Sequence, residues 1–475
     1  MSETGTTKGR RPHKGGASSQ SRSGNRPRGG NRPPSHKKAQ VGLAARRLAI
    51  DIIEAVTDRG HLLDTELDPE TGHAGYRAVI AKDRALVRAM VTLTLRRLGQ
   101  IDDALSRLID KPLPKKAARV RHVLRVAAAQ ILFMDVADHA AVDLAVAVTA
   151  GDGRIAGWKG LVNGVARNLV RQREEILADQ DDVRLNTADW LWARWTAAYG
   201  EETVRRFAAM HMLEPSLDIS VKSDPASWAE RLNATVLPTG SLRLIPKGLV
   251  EHIDGYGEGA WWVQDAAAAL PARLLGDVSG LRVADLCAAP GGKTAQLASA
   301  GADVTAVDIS KPRAERLRAN LKRLGLKANV VIADLLDWQP DEPFDAILLD
   351  APCSSTGTIR RHPDVALRKT DTDIAALADL QQKILDRALT WLKPGGLLVY
   401  CTCSLEPEEG GDQIAALLAR SDMAERVPIT PDELGGLAEL VTPEGDMRTL
   451  PHHLKLEDDR LSGLDGFFAA RLRRR

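Results

Sequence analysis

The chain has 475 residues, 44% hydrophobic and 27% charged, the balance of an ordinary globular protein with length for several domains. No apolar run approaches the ~18 residues of a membrane-spanning helix, the N-terminus reads as lacking a secretory signal, and four cysteines in so long a chain exclude a disulfide scaffold. The net charge of +2 conceals an imbalance: residues 1–40 hold ten Lys and Arg against the single acid Glu3, so a tail of +9 joins a body of −7.

In chain order, residues 1–40 are rich in Gly, Ser, Pro, Arg and Lys with almost no large apolar side chains, a composition that predicts a disordered basic tail, either a solubilising leader or an arm that finds phosphates by charge. Residues 41–175 carry apolar side chains at helical spacing in segments such as Leu43 to Val56, Asp83 to Leu98, Ala117 to Met134 and Gly160 to Val170. They predict an all-α domain of six or seven helices. Residues 176–260 read as a linker and small α+β subdomain. There Trp190, Trp192 and Trp195 share one helix as packing anchors, Asp218 to Val221 and Ser241 to Ile245 are short strands, and the run Gly255-x-Gly257-x-Gly259 is flexible. Trp261 to Asp265 then leads a strand into a helix.

Residues 261–475 change period. Strands over Leu281–Leu286, Asp303–Asp308, Val330–Asp334, Phe344–Asp350 and Gly396–Cys401 alternate with helices over Pro312–Leu324 and Thr372–Leu392. The alternation predicts a Rossmann-like, doubly wound parallel sheet with its ligand at the carboxyl ends of the strands.

The turn Ala289-Pro290-Gly291-Gly292-Lys293-Thr294 admits three nucleotide-site readings. A Walker A loop requires glycine at position 287, which is Cys287, and the dinucleotide pattern G-x-G-x-x-G is missing. S-adenosylmethionine fits better: a Gly-rich turn lets backbone approach its amino-acid part, Asp308 can accept both ribose hydroxyl protons, and Asp334 can reach the adenine edge. A single such Asp is more often a cap or turn residue. Three of them, Asp308, Asp334 and Asp350, ending consecutive strands beside a Gly turn are harder to explain as caps. Cys353 and Cys403 should converge at the same sheet edge, with Cys401 further inside its strand as a buried thiol. No pair of cysteines or histidines has metal-ligand spacing, so no metal is expected.

Asp285-Leu286-Cys287-Ala288-Ala289-Pro290-Gly291-Gly292-Lys293-Thr294, Asp350-Ala351-Pro352-Cys353-Ser354, Arg360-Arg361-His362-Pro363-Asp364 and Thr402-Cys403-Ser404 occur in order, with Val263-Gln264-Asp265 before them and Asp465-Gly466-Phe467-Phe468 after. In this the chain from about residue 215 to 475 resembles the Nop/Sun family of RNA cytosine-C5 methyltransferases. The segments Ala45 to Ala49, Asp83 to Val87 and Leu161 to Arg167 resemble a NusB-like RNA-binding domain. The combination resembles the members of the family that act on small-subunit ribosomal RNA.

The resemblance implies a class I S-adenosylmethionine-dependent methyltransferase domain. Cys403 would attack C6 of the cytosine, Cys353 would assist release, and Asp350 would support protonation at N3. The cofactor would lie on Cys287, Ala288, Ala289, Pro290, Gly291, Gly292, Lys293, Asp308, Arg313, Asp334 and Asp350. Lys293, Arg360, Arg361 and His362 would hold RNA, helped by basic helix faces with Arg46, Arg47, Arg119, Arg121 and Arg125 and by the terminal Arg471 and Arg473 to Arg475. The substrate base must leave its stack, so unassembled or partly assembled RNA is expected, and a monomeric cytoplasmic protein. Where the family commonly has Pro-Glu-Glu-Asn, this chain has Pro407-Glu408-Glu409-Gly410. A transfer-RNA substrate, or an inactive RNA-binding assembly factor, remain as alternative readings.

Overall fold

The computed structural model describes residues 36–475 apart from residue 247, with side chains from Gly42 onward. The tail expected over residues 1–40 falls outside them as far as residue 35. The helical region consists of His36–Arg59, Leu63–Glu66, Ala74–Ala78, Ala81–Arg96, Leu98–Leu108, Ala118–Phe133, Asp138–Ala150 and Lys159–Ala178. Six of these are long helices, as expected. The two single turns between residues 63 and 78 are too short to display a period. Ala118–Phe133 is the hub: every residue from His122 to Leu132 is buried, because a helix apolar on all faces can satisfy itself only by being surrounded.

The connecting helix Asp189–Tyr199 packs on the later half of the chain. Trp195 is buried and its Nε1 donates to Glu406 Oε1 at 2.9 Å. Trp190 and Trp192 are partly buried around it, so the three are packing residues. Arg194, on the neighbouring face, donates to Glu406 at 2.8 Å, Glu408 at 2.6 Å and Asp371 at 2.9 Å.

A small antiparallel sheet follows: β1 (Leu217–Val221), β2 (Thr235–Val236), β3 (Leu242–Leu244) and β4 (Trp261–Val263), in the order β2-β3-β1-β4. Its fourth strand comes from beyond the expected boundary at residue 260, because Trp262 pairs with Ser220 of β1. The glycine run expected to be flexible is a tight turn closed by Gly259 N–H to the Tyr256 carbonyl at 3.0 Å and Ala260 N–H to the Gly255 carbonyl at 3.0 Å. At Gly259, φ is +65° and a Cβ would meet the Arg323 carbonyl oxygen at 2.1 Å, so this turn needs glycine to pack where it does.

The large sheet contains β5 (Arg282–Leu286), β6 (Asp303–Asp308), β7 (Asn329–Ile332), β8 (Phe344–Asp350), β9 (Leu392–Thr402), β10 (Ala424–Arg426), β11 (Met447–Thr449) and β12 (Phe467–Arg474). The order is β10-β12-β9-β8-β5-β6-β7, with β11 on β12. β7 to β9 are parallel, and β12 enters antiparallel against β9. Helices cover both faces: Ala346 and Leu348 of β8 join one core, Ile347 and Leu349 the other. That is why these strands read as continuous apolar runs. The chain turns away in opposite directions after β5 and β8, and this divergence opens the crevice at their carboxyl ends. Among the described residues no helix is long and apolar enough to cross a membrane.

Candidate active site

After β5 the backbone turns at Cys287 (φ +61°) and enters the helix Gly292–Ser299. Gly291 has φ +101°, and a Cβ there would stand 2.8 Å from Leu317, so the turn packs against the next helix only with glycine. Asp308, at the end of β6, is almost fully buried. Its Oδ2 accepts the Ala289 N–H at 3.0 Å and its Oδ1 the Ser310 N–H at 2.9 Å. Arg313 stands 3.6 Å from the same carboxylate and donates to the Ala289 carbonyl. Asp334 lies two residues beyond β7, exposed, with Oδ1 accepting Leu336 N–H at 2.9 Å.

A cleft of about 480 Å³ runs along this edge, lined by Cys287, Asp308, Arg313, Asp334, Asp350, Cys353 and Cys403. Ile309, Leu335, Leu380 and Ile384 give it an apolar wall. The turn is shared differently from the expectation. Cys287 faces this cleft, whereas Ala288, Ala289, Pro290, Gly291, Gly292 and Lys293 line an adjoining groove of about 490 Å³ with Trp262, Gln264 and His362. Asp350 borders both.

Two turns bring the thiols together. The Cys353 and Cys403 sulfurs are 3.4 Å apart, and Gly357 N–H donates to the Cys403 carbonyl at 3.0 Å, tying one turn to the other. The pair is electrostatically unequal. The hydrogen bond to Cys403 holds the proton on Cys353, and burial and the Glu409 carboxylate push that thiol further up. Cys403 receives this bond and is lowered despite its burial and the Asp350 charge, with the Ser355 hydroxyl and Lys293 adding to the effect. Cys403 is therefore the thiol that ionises first. Cys401 is fully buried and its thiol is pushed up by that burial, as its place inside the strand suggested.

Lys293 is braced, not free: its Nζ donates to Asp350 Oδ2 at 2.8 Å and stands 4.9 Å from the Phe467 ring. Burial alone would lower the ammonium, but the Asp350 carboxylate outweighs burial and raises it.

Sequence reasoning gave Glu409 no place in the site. It is fully buried behind both thiols. Oε1 accepts Ser354 N–H at 2.8 Å and Gln381 Nε2 at 3.1 Å, and Oε2 accepts the hydroxyls of Ser354 and of Ser404, the latter at 2.6 Å. Ser354 follows Cys353 and Ser404 follows Cys403, so one carboxylate clamps both turns. The signal available was an acid directly after the thiol motif with no cation nearby in sequence. Gly410 also has a structural reason. A Cβ there would meet Arg448 Nη2 at 2.6 Å and the Phe468 ring at 3.0 Å. Arg448 occupies that space and donates to the Ser404 carbonyl at 2.5 Å.

The expected phosphate contacts are redirected. Arg360 is buried, 3.5 Å from both Asp265 and Asp465, and Arg361 pairs with Asp265 at 2.5 Å and Asp465 at 3.1 Å. Both guanidiniums neutralise buried carboxylates; Arg360 is closed off from solvent, whereas Arg361 is only partly buried. His362 is half-exposed and reaches Asp64 of the helical region at 3.2 Å. There too Arg46 donates to Gln130, Arg119 to Asp51, Glu54 and Asp152, and Arg125 to Asp102, leaving Arg47 and Arg121 exposed. Arg471 pairs with Glu433 at 2.6 Å, Arg473 and Arg475 with Glu425, and Arg474 donates to main-chain carbonyls. Among the described residues no cluster of three or more His, Cys, Asp or Glu is arranged to hold a metal ion.

Residues 272–473 match the family model described as 16S rRNA methyltransferase RsmB/F, and residues 43–171 match the NusB family. The chain is 39% identical over 401 residues to ribosomal RNA small subunit methyltransferase B of Klebsiella pneumoniae, covering 80% of this chain and 90% of that one. It is 36% identical over 446 residues to the protein of the same name from Cronobacter sakazakii, covering 90% and 98%. In fold, the crystal structure of PH0851 superposes with a TM-score of 0.68 at 22% identity over 90% of this chain and 98% of that one. NSun6 from Pyrococcus horikoshii with SFG gives 0.51 at 20% identity over 60% and 98%.

Proposed function

The chain belongs to the ribosomal RNA small subunit methyltransferase B family, and from that premise we propose that it methylates C5 of a cytosine in small-subunit ribosomal RNA through a covalent adduct on Cys403. It is a methyltransferase of ribosomal RNA whose methyl donor is S-adenosylmethionine. The donor set fits that group: two carboxylates at strand ends, an apolar wall for a heterocycle, and a turn that brings main chain against Asp308. Asp308, Asp334, Arg313 and Cys287 would hold it, and when bound it supplies an electrophilic methyl group.

The observation that carries the reading is the convergence of two thiols, 3.4 Å apart, at the mouth of that cleft. C5 of cytosine is a weak nucleophile. Addition of the Cys403 thiolate to C6 moves the C5=C6 π pair onto C5, which becomes reactive. Asp350, held by Lys293, lies beside the thiols and is placed to support the proton at N3. Cys353 keeps its proton while Cys403 is an anion. Once the Cys403 sulfur is bonded to carbon, that hold is gone and Cys353 is free to exchange protons during release. After methylation Cys353, having released its own proton to solvent, takes the C5 proton as a thiolate; the C5–H pair restores C5=C6, and the C6–S pair returns to Cys403. The reaction site admits a base only when it is unstacked, which favours RNA before or during ribosome assembly in the cytoplasm.

The test is transfer of labelled methyl from S-adenosylmethionine to unmodified small-subunit ribosomal RNA, with bisulfite mapping of the product. A single protected cytosine is expected. Methylation of transfer RNA alone would overturn the substrate.

A further inference from the structure

One residue at the thiol pair is conformationally costly. Ser355 has φ +62°, a region that residues with a Cβ rarely adopt. Strain of this kind persists where surrounding structure holds it, and it gathers at functional positions. The turn is held: the Ser355 carbonyl accepts Thr358 N–H at 3.0 Å and the Thr358 hydroxyl at 2.8 Å. The left-handed conformation turns the side chain into the cleft. Its Oγ is 3.6 Å from the Cys403 sulfur and 4.0 Å from the Cys353 sulfur.

Resting on the methyltransferase reading above, we propose that Ser355 is a further catalytic residue, its hydroxyl donating a hydrogen bond to the Cys403 sulfur whenever that sulfur carries negative charge. The hydroxyl has the reach and the freedom to rotate. In the neutral pair it accepts from the Cys403 thiol. When Cys403 is ionised it turns to donate, and it does so again when the C6–S bond breaks and the pair returns to sulfur. The other groups facing Cys403 divide into opposing sets. Lys293 from the helix after β5 and the Cys353 thiol favour the thiolate, while Asp350 from β8 opposes it. Glu409, behind both turns, raises Cys353. Ser355 adds a neutral donor that favours the thiolate without adding charge to a cleft meant for an anionic polymer.

The experiment compares Ser355→Ala, which removes the hydroxyl and keeps the strain, with Ser355→Gly, which removes both. In full-length protein also carrying Cys353→Ala, iodoacetamide alkylation of Cys403 is followed against pH by mass spectrometry of its peptide. Turnover on ribosomal RNA is measured in the chain with Cys353 intact. Both substitutions are expected to raise the alkylation midpoint by about one pH unit and to lower kcat about tenfold, with Ser355→Gly melting no lower than the native protein. If Ser355→Gly retains the native midpoint and kcat while Ser355→Ala does not, the backbone matters and the proposal is overturned. If neither moves the midpoint, it is overturned as well. A midpoint that depends on Ser355 in the Cys353→Ala protein, with no methyl transfer to RNA by the chain with Cys353 intact, supports the thiol contact and overturns the function.

Discussion

The ammonium of Lys293 stands 2.8 Å from Oδ2 of Asp350, while Cys401 Sγ lies 3.5 Å from the other carboxylate oxygen. The glycine turn and the fourth parallel strand are thus joined by one ion pair at the point where the cleft and its neighbouring groove meet. Lys293→Met would leave Asp350 without its cation. Breaking a buried pair typically costs 3–5 kcal/mol, and because Asp350 is partly exposed about 2–3 kcal/mol is expected here. Thermal melts of the variant measure it, and a loss under 0.5 kcal/mol would mean the pair contributes nothing to the fold.

The thiols predict opposite fates for two single substitutions. Cys403→Ala removes the nucleophile, so methylation falls to background and no RNA–protein band forms. Cys353→Ala leaves addition possible and slows release, so a covalent band accumulates on denaturing gels with unmodified RNA. A trapped band in Cys403→Ala would reverse the assignment.

Glu409 accepts hydrogen bonds from groups on both thiol turns. Glu409→Ala strands the Ser354 N–H and two hydroxyls in a buried space, at about 2–4 kcal/mol. Glu409→Gln keeps one acceptor oxygen and offers an amide that the hydroxyls can rotate to meet, so about half of that loss is expected. Denaturant melts rank the pair. Equal losses would show that the carboxylate is not the clamp.

Asp285 yields a pH prediction. Burial, opposed by the Thr294 hydroxyl, pushes its carboxyl up to about 7 from an ordinary value near 4. Between those values the folded state binds more protons than the unfolded state, so this group's contribution is full at low pH and is lost as pH rises toward 7. Asp285→Asn keeps a partner for Thr294 and removes the titration. Relative to the native chain it is expected to gain at least 1 kcal/mol at pH 8 compared with pH 5, read from paired melts. A constant difference across that range would place the titration elsewhere.

Arg360 and Arg361 sit among Asp218, Asp265 and Asp465. Arg361→Ala should therefore lower the melting temperature while leaving the salt dependence of RNA binding unchanged. A phosphate contact would do the reverse, reducing the log–log salt slope by about 1 with the fold intact. The two measurements on one variant separate the roles.

The parallel strands were readable because both faces of the sheet are covered, which makes the interior positions of β5, β6, β8 and β9 apolar on both sides. The strand-end acids and thiols were readable because a topological switch point collects whatever follows each strand. The misassigned arginines reveal the limit of that reading. A sequence displays Arg360 and Arg361 beside the thiol motif but not the three carboxylates, tens to hundreds of positions away, that neutralise them. Glu409 escaped for the same reason: Ser354 is brought to it by the pairing of β8 with β9, and Gln381 by the helix Asp371–Thr390 that lies between those strands in sequence. β4 was read as a strand but given no sheet, because a three-residue strand has no period of its own and its partner decides where it belongs.

The contact of Arg194 with Glu406, Glu408 and Asp371 bears on how such proteins can be recombined. Glu406 is fully buried three residues before the clamp at Glu409, and its carboxylate is matched by a guanidinium and an indole contributed from the other half of the chain. A chimaera that joins this front half to a foreign catalytic half, or the reverse, inherits one side of that match and leaves the other unmet beside the thiols. Viable hybrids must therefore cross over upstream of Asp189, so that the helix carrying Arg194 and Trp195 travels with the segment it neutralises.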